Sequence, residues 1–228
     1  DEAVAESQIA IPAHWPRIAG MDFGWDHKTA VVWLAWDRDS DTIHLYDAYG
    51  APEQTPMVHS LAIKARGDWI PMAWPHDGLQ HEKGTGDELK KQYLKYGVKM
   101  LPKQATHAPD HTTGQKEGEG GNSVELGITE LNERILTGRF KVAKHLNDWF
   151  EEYRLYHRKD GKIVKLNDDF MDATRYAVMM LRHAKVQAQP QRKAMPGHQI
   201  TAPATGGFGC PPTQHHRATY GWRFAFWS

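Results

Sequence analysis

Aspartates stand at three separate places in this 228-residue chain where an apolar segment meets a turn or begins. Asp22 ends the run IAGMD, Asp77 ends IPMAWPHD, and Asp168, Asp169 and Asp172 lie at the start of NDDFMDATRYAVMML. A carboxylate at the end of a buried element costs free energy unless a cation or hydrogen-bond donors satisfy it. Three such places, far apart in the sequence, therefore predict a site for a hard divalent cation.

Oxygen ligands alone are typical of Mg²⁺ or Mn²⁺, which bind a few carboxylates together with substrate phosphate. Two such ions lying close together can activate water and stabilise the leaving oxygen of a phosphodiester. The fourteen histidines show neither an HExxH motif nor paired zinc-ligand spacing, and the single cysteine, Cys210, excludes a cage of several thiolates. The residues favour phosphodiester hydrolysis by metal-activated water, without a Cys, Ser or Tyr nucleophile.

Each aspartate also has an ordinary structural interpretation. Asp22 can form an Asx-type turn, and Asp77 belongs to an Asp-Gly pair, which is a common turn dipeptide. The aspartates at the start of the last apolar segment can cap a helix, since the helix dipole favours acids there. Capping explains one or two of those three but not all. On a helical wheel Asp169 lies closest to the apolar edge, so it is best placed to point toward a sheet.

The elements that would position these aspartates follow from hydrophobic periodicity. The run TAVVWLAW is typical of a strand buried on both faces. Closely spaced strands with short turns predict an antiparallel meander, and the later strand–helix–strand order predicts parallel pairing. The predicted strands are residues 18–22, 29–36, 42–49, 70–74 and 98–101, the predicted helices are residues 55–66, 87–96, 123–136, 146–154 and 168–185, and residues 155–166 are predicted to form a hairpin.

One folded domain with flanking segments is expected from this pattern. We interpret residues 1–17 as a linker, residues 18–187 as an α/β domain with a mixed sheet flanked by helices, and residues 188–228 as a flexible tail. Residues 103–123, rich in Gly, Thr and charge, predict a long, mobile loop. The chain does not begin with Met, so we interpret it as a fragment or a processed chain.

Charge and hydropathy exclude some classes of protein. Lys+Arg and Asp+Glu both number 28, so the chain lacks the bulk charge of a histone-like binder, and a nucleic-acid site would need locally clustered charge. No apolar run approaches the ~20 residues of a membrane span, and the first residues lack a signal pattern. We therefore predict a cytoplasmic protein without a membrane partner.

The order of these features resembles the ribonuclease-H-like nucleases, in which a meander carries an aspartate on its first strand and a C-terminal helix is acidic. More narrowly, the chain resembles the C-terminal nuclease domain of the large terminase subunit of tailed bacteriophages. The segments that carry the resemblance are GMDFGWDHKTAVVWLAW, IPMAWPHDG and NDDFMDATRYAVMM. The resemblance implies a ribonuclease-H-like mixed sheet, made of an antiparallel meander plus parallel strands and flanked by helices.

The resemblance also implies a set of site residues. Asp22 and Asp77 match the first two metal-binding acids, and the pair Asp168–Asp169 matches the third, with Asp172 as a near neighbour. We expect two Mg²⁺ or Mn²⁺ ions, with Asp22 binding both, Asp77 holding one and Asp169 the other. Asp168 and Asp172 are then outer or alternative ligands, so all five are candidate catalytic residues.

The implied activity is an endodeoxyribonuclease that cleaves double-stranded DNA concatemers during viral genome packaging in the host cytoplasm. The implied partners are double-stranded DNA, the portal protein, the small terminase subunit and the ATPase domain of the same full-length protein. The chain lacks a GxxxxGK[ST] motif, so residues 1–17 would be the linker from an absent ATPase domain. Basic residues near the site would bind DNA phosphates. The candidates are Lys28, Lys83, Lys103 and Arg175.

Two other functions stay open at this point. The pattern Gly-x-Asp-x-Gly at residues 20–24, followed by Thr29, also occurs in actin-like and sugar-kinase ATP-binding domains, although the chain lacks a convincing second phosphate loop. A non-catalytic docking domain of a packaging motor is the other alternative. Crowded acids at a sheet edge argue against docking alone, because docking would not require them.

Overall fold

Six strands form one mixed sheet within residues 4–7, 10–79, 88–159, 162–163 and 168–188, which the computed structural model describes. The strands of the sheet are β1 (Ala5–Glu6), β2 (Arg17–Asp22), β3 (Thr29–Asp37), β4 (Thr42–Ala51), β5 (Met72–Ala73) and β6 (Phe140–Ala143). Their order across the sheet is β1-β6-β4-β3-β2-β5. A separate antiparallel hairpin comprises β7 (Arg158–Lys159) and β8 (Lys162–Ile163), as predicted.

The centre of the sheet is the predicted meander. β2, β3 and β4 pair antiparallel in succession. Residues 29–35 of β3 are all buried, because this strand has neighbours on both sides and layers on both faces. β5 pairs parallel with β2, and β6 pairs parallel with β4. The predicted mixed sheet, an antiparallel meander plus parallel strands, is therefore confirmed.

Three predictions about strands were wrong or incomplete. Residues 98–101 form only an isolated parallel bridge, Met72↔Met100, instead of a strand. β6 was not predicted, because four residues after a helix give too short a run for a period to show. β1 lies inside the segment interpreted as a linker, where Val4 is 1% exposed and the strand pairs parallel with β6. The sheet thus begins before residue 18.

Five helices flank the sheet in the described part of the chain. They are α1 (Pro56–Ala65), α2 (Leu89–Lys95), α3 (Val124–Leu136), α4 (Asn147–Leu155) and α5 (Asp169–Met179). All five correspond to predicted helices, and Ser123 caps α3 by accepting a hydrogen bond from the Leu126 amide. α5 is shorter than predicted. A 3-10 turn, Leu181–His183, follows it, and Lys185 then forms a bridge with Arg17 of β2.

Close packing of α5 on β2 depends on Gly20. A Cβ atom at this position would overlap the carbonyl oxygen of Ala173 and lie 2.8 Å from the Cβ of Ala177. Without a side chain at Gly20, the helix lies directly on the strand. Since Gly20 faces the middle of α5 and Asp22 interacts with the start of α5, the packing brings the end of β2 to the first turn of the helix.

Residues 103–123, expected to be a mobile loop, contain defined turns. The Asp110 side chain accepts hydrogen bonds from the backbone and hydroxyl of Thr112, and the Ala105 amide donates to the carbonyl of Trp74. Glu117 forms an ion pair with Arg182, which follows α5. Residues 189–228, nearly all of the predicted tail, lie outside the described residues. None of the described helices is long and apolar enough to cross a membrane.

Candidate metal centre at the end of the sheet

Asp22 and Asp77 lie at the edge of the sheet where two neighbouring parallel strands end. Asp22 is the last residue of β2, and Asp77 lies on a 3-10 turn, His76–Leu79, that follows β5. The chain after β2 packs against this turn, because a Cβ atom added to Gly78 would lie 3.0 Å from the ring of Phe23. The structure therefore places the two predicted acids on adjoining segments, at a position where open α/β sheets commonly bind ligands.

The first turn of α5 brings further carboxylates to Asp22. The pKa of Asp22 is raised from its ordinary value of 3.8 to about 8, first by burial and then by the negative charges of Asp172, Asp169 and Asp168. The positive charge of Arg175 acts in the opposite direction. Two acidic clusters from distant parts of the sequence thus share one region, and their mutual repulsion is unfavourable unless a cation offsets it.

Asp22 and the α5 aspartates are close to one another, but their carboxylates are not arranged as ligands of one ion. In the part of the chain that the structure describes, no three Asp, Glu, His or Cys side chains surround a single position suited to a metal ion. Asp77 is exposed, whereas Asp169 is 8% exposed. Nδ1 of His27 lies 2.7 Å from Oδ1 of Asp169. A cation that takes this oxygen as a ligand would have to replace His27.

Glu152 belongs to the same region, although the sequence did not single it out. It lies on α4 and is 3% exposed. Its Oε2 accepts a hydrogen bond from the Phe170 amide at 2.6 Å, and its Oε1 lies 2.6 Å from Nζ of Lys28. Burial raises the pKa of Glu152, while Lys28 acts against that shift. The available signal was a carboxylate on the same helix face as Trp149, an unusual place for an unpaired acid.

Asp172 and Arg175 form a buried pair one turn along α5. Nη2 of Arg175 lies 3.0 Å from Oδ1 of Asp172, and the guanidinium also lies 4.4 Å from the centroid of the Tyr176 ring. Arg175 is only 3% exposed. This burial contradicts the predicted DNA contact of Arg175, since a phosphate cannot reach a covered guanidinium. Arg175 instead offsets part of the negative charge around Asp22 and Asp172.

The other predicted DNA-binding residues have different surroundings. Lys28 is partly exposed and is engaged with Glu152 and, at 4.4 Å, with the ring of Phe170. Lys103 is exposed, and its Nζ donates to the carbonyl of Glu117 in the long loop. Lys83 lies outside the described residues. Lys28 is therefore the candidate that is both partly exposed and placed by its contacts beside the start of α5, whereas Arg175 is buried there.

A comparison with protein families decides which family this arrangement belongs to. The model for the terminase RNaseH-like domain matches residues 19–181, which include every predicted acid, all five described helices and the sheet apart from β1 and the first two residues of β2. The chain belongs to the terminase RNaseH-like family. Asp22, Asp77 and the aspartates at the start of α5 all lie inside the matched range.

Within this family, the chain is similar to the large terminase subunit of Salmonella phage P22. The two are 45% identical over 200 residues, which is 86% of this chain and 38% of that protein. The chain thus spans well under half the length of this relative. The solved nuclease domain of the P22 large terminase superposes with a TM-score of 0.71 at 46% identity, and the match covers 81% of this chain and 91% of that domain.

A more distant member of the fold was solved with a metal ion. The nuclease domain of the large terminase of bacteriophage SPP1, whose structure contains bound Mn, matches with a TM-score of 0.51. It is 17% identical and covers 78% of this chain, and this chain covers 94% of it. At this identity the likeness establishes the shared ribonuclease-H-like fold alone.

Proposed function

We propose that this domain is a divalent-metal-dependent endonuclease that cuts double-stranded DNA concatemers during the packaging of a viral genome. The observation that carries the proposal is the crowding of Asp22 with the α5 aspartates at the end of the sheet, where burial first and then these negative charges raise the pKa of Asp22 to about 8. Strong perturbation of this kind is concentrated at functional sites. Membership of the terminase RNaseH-like family supports the same conclusion, as does the bound Mn in the SPP1 nuclease domain.

The donors present fit a hard divalent cation. Asp22, Asp77 and Asp169 offer carboxylate oxygens, which Mg²⁺ and Mn²⁺ prefer. A cation would relieve the repulsion between Asp22 and the α5 aspartates, which Arg175 offsets only in part. A pair of bound ions supplies activation of water and stabilisation of charge on the oxygens of a phosphodiester. We keep the expectation of two ions as part of this proposal.

The residues of the chain have distinct parts in this proposal. Asp22 ends β2, the neighbour of the strand that precedes Asp77, and it feels the charges of the α5 aspartates, so it is the acid that would bind both ions. Asp77, which is exposed, would hold one ion, and Asp169, which is buried, would hold the other. Asp168 and Asp172 would add negative charge at a greater distance from the ions. The positive charge of Arg175 reduces the repulsion among these acids.

The substrate and the partners are proposed on the same grounds, in less detail. Lys28 and Lys103 would neutralise DNA phosphates, because each is at least partly exposed and Lys28 lies at the acidic cluster. The portal protein, the small terminase subunit and an ATPase domain of the same protein are the proposed partners. These assignments extend to the assembled packaging motor, of which this chain corresponds to one part.

Cleavage of supercoiled plasmid in Mg²⁺ or Mn²⁺ tests the proposal. Asp22→Asn and Asp169→Asn should each lower the cutting rate by more than about 100-fold. The reason is that losing a metal ligand lowers activity more than losing a residue that only contacts a ligand. Circular dichroism should show that both variants stay folded. The measurement is the rate of conversion to nicked and linear DNA at several metal concentrations.

Asp39→Asn is the matched control for these variants. Asp39 is exposed on the turn between β3 and β4, away from the end of β2, so the same chemical change there should leave cutting intact. If Asp22→Asn and Asp169→Asn cut as well as Asp39→Asn, the site assignment is rejected. A folded wild-type domain that never cuts, with either cation, would favour the docking function instead.

A further inference from the structure

We propose that Glu152 is a positioning residue for this nuclease site, because it ties the start of α5 to the loop between β2 and β3. The proposal rests on the nuclease function argued above. Glu152 comes from α4, an element that supplies none of the predicted metal ligands. With 3% of its surface exposed, it meets its partners inside the protein.

The contact of Glu152 with α5 fixes the position of Asp169. Oε2 of Glu152 accepts a hydrogen bond from the amide of Phe170 at 2.6 Å. Phe170 directly follows Asp169 in the first turn of α5, where backbone amides have no acceptor within the helix. A carboxylate is favoured at this end of a helix, because the amides and the helix dipole attract negative charge. Glu152 therefore holds the backbone from which the Asp169 side chain projects.

The second contact of Glu152 reaches the segment that begins at Asp22. Oε1 of Glu152 lies 2.6 Å from Nζ of Lys28. Lys28 also lies 4.4 Å from the centroid of the Phe170 ring, and its side chain packs against Gly50. One carboxyl group thus joins the two segments that carry Asp22 and Asp169. It also positions the ammonium group of Lys28, which would face a DNA phosphate in the proposed complex.

Stability alone gives little reason for this arrangement. α4 is already attached to α5 by a hydrogen bond from Nε1 of Trp149 to Oγ1 of Thr174, at 3.0 Å, within a buried aromatic contact region. Replacing a buried ion pair by apolar residues is often neutral or stabilising. The Glu152–Lys28 pair is better explained by the geometry that it imposes on the neighbouring acids.

Glu152→Gln is the direct test. The amide side chain can still accept from the Phe170 amide, but it leaves Lys28 without a counter-charge. We expect Mn²⁺ to bind about tenfold more weakly in calorimetry, the size typical of losing an outer contact of a metal ligand. In the metal-free protein, hydrogen exchange of the backbone amides of residues 169–172 should become faster, because a neutral amide oxygen accepts more weakly from the Phe170 amide than a carboxylate does. In cleavage assays the Mn²⁺ requirement should rise, while the KM for DNA should change less.

Glu6→Gln is the matched control, because Glu6 also pairs with a basic side chain, His44, at 2.7 Å. Glu6 lies on β1, at the edge of the sheet opposite β5, so this variant should leave Mn²⁺ affinity and exchange of residues 169–172 unchanged. The proposal is overturned if Glu152→Gln binds Mn²⁺ like wild type, or if its effects match those of Glu6→Gln.

A double variant covers the case in which Glu152→Gln fails to fold. Glu152→Gln with Lys28→Met leaves no unpaired buried charge, so it should fold and still bind Mn²⁺ weakly; wild-type affinity in it would also overturn the proposal. Failure of the nuclease function itself looks different. Wild-type protein would then bind Mn²⁺ without cutting DNA. Hydrogen exchange of residues 169–172 in the metal-free protein would still differ between the wild type and Glu152→Gln.

Discussion

Asp22 ends a buried strand among three other carboxylates, so its ionised form opposes folding. Its pKa in the folded protein, about 8, lies far above its ordinary value of 3.8. A raised pKa in the folded state means that the folded protein binds the proton more tightly than the unfolded chain does. The stabilising contribution of protonated Asp22 is therefore complete below its ordinary pKa and is lost as the pH rises through about 8.

Asp22→Asn should remove this dependence on pH. In the absence of divalent cations, the free energy of unfolding of the wild type should fall between about pH 5 and pH 8. In the variant the fall should be smaller by at least about 1 kcal/mol, since one pKa unit corresponds to 1.36 kcal/mol. Urea unfolding at several pH values measures this difference. Mg²⁺ should recover stability at pH 8 in the wild type but not in the variant.

Asp39→Asn should keep the pH dependence of the wild type, because Asp39 is an exposed turn residue. If the free energy of unfolding changed with pH in the same way in the wild type and in Asp22→Asn, ionisation of Asp22 would not govern the pH dependence of stability.

Sequence patterns found some members of this site and not others. Asp22 and Asp169 could be identified because a carboxylate at the end of an apolar run stands out. Glu152 could not, because its importance comes from Phe170 and Lys28, which are distant in sequence and meet it only in the folded chain. Arg175 was assigned to DNA because a positive charge in isolation suggests phosphate, and a sequence does not reveal which face of α5 is covered.

At the scale of elements, the contact between β2 and α5 determines whether the acids can meet. The contact exists because Gly20 has no side chain to separate strand and helix. β3 was predictable from its continuous apolar run and α5 from its helical period, whereas the four-residue β6 was too short to be predicted. The strand expected at residues 98–101 became a single bridge to Met72, because apolar character does not specify how many residues pair.

Gly20→Ala should push α5 away from β2. Because the added Cβ would overlap the Ala173 carbonyl, the free energy of unfolding should fall by about 2 kcal/mol, in the range found for overpacked cores. Nuclease activity should fall beyond the loss of folded protein, because Asp169 moves with the helix. Urea unfolding and plasmid cleavage measure the two effects.

Gly138→Ala is the comparison for this variant. A Cβ there meets nothing within 4 Å, and only its left-handed backbone, with a φ of 72°, carries a cost, about 1 kcal/mol. It should destabilise the protein without a separate effect on cutting. Equal losses of cleavage per unit of lost stability in the two variants would contradict the proposed role of the β2–α5 contact.

At the scale of the whole domain, Glu117 joins the long loop to the chain that follows α5. Its carboxylate accepts from Nη2 of Arg182 at 2.6 Å and lies 3.2 Å from Nε2 of His183. These partners, Arg182 first, lower the pKa of Glu117 to about 2. The attachment is therefore present above the ordinary carboxyl pKa and is lost only as the pH falls toward 2. The loop was predictable from its composition, but its attachment was not.

Glu117→Gln should weaken the attachment of the part of residues 103–123 around Glu117 to the chain that follows α5. Loss of the charge-assisted pair with Arg182 should make limited proteolysis of this segment several-fold faster, because cleavage follows the population of locally opened states. The melting temperature should change little, since the pair is partly exposed. Glu119→Gln is the control, as the Glu119 carboxylate accepts a local hydrogen bond from the Lys116 amide. Equal proteolysis of the two variants would argue against the attachment.

The parallel pairing of β1 with β6 has a mechanical consequence. β1 is two residues long and lies at one edge of the sheet, and β6, β4 and β3 separate it from β2. Tension applied to the chain ahead of residue 4 is borne first by this short pairing. β1 would therefore detach before the load reached the strand that ends at Asp22, and the acidic cluster at the end of β2 would keep its shape under this tension.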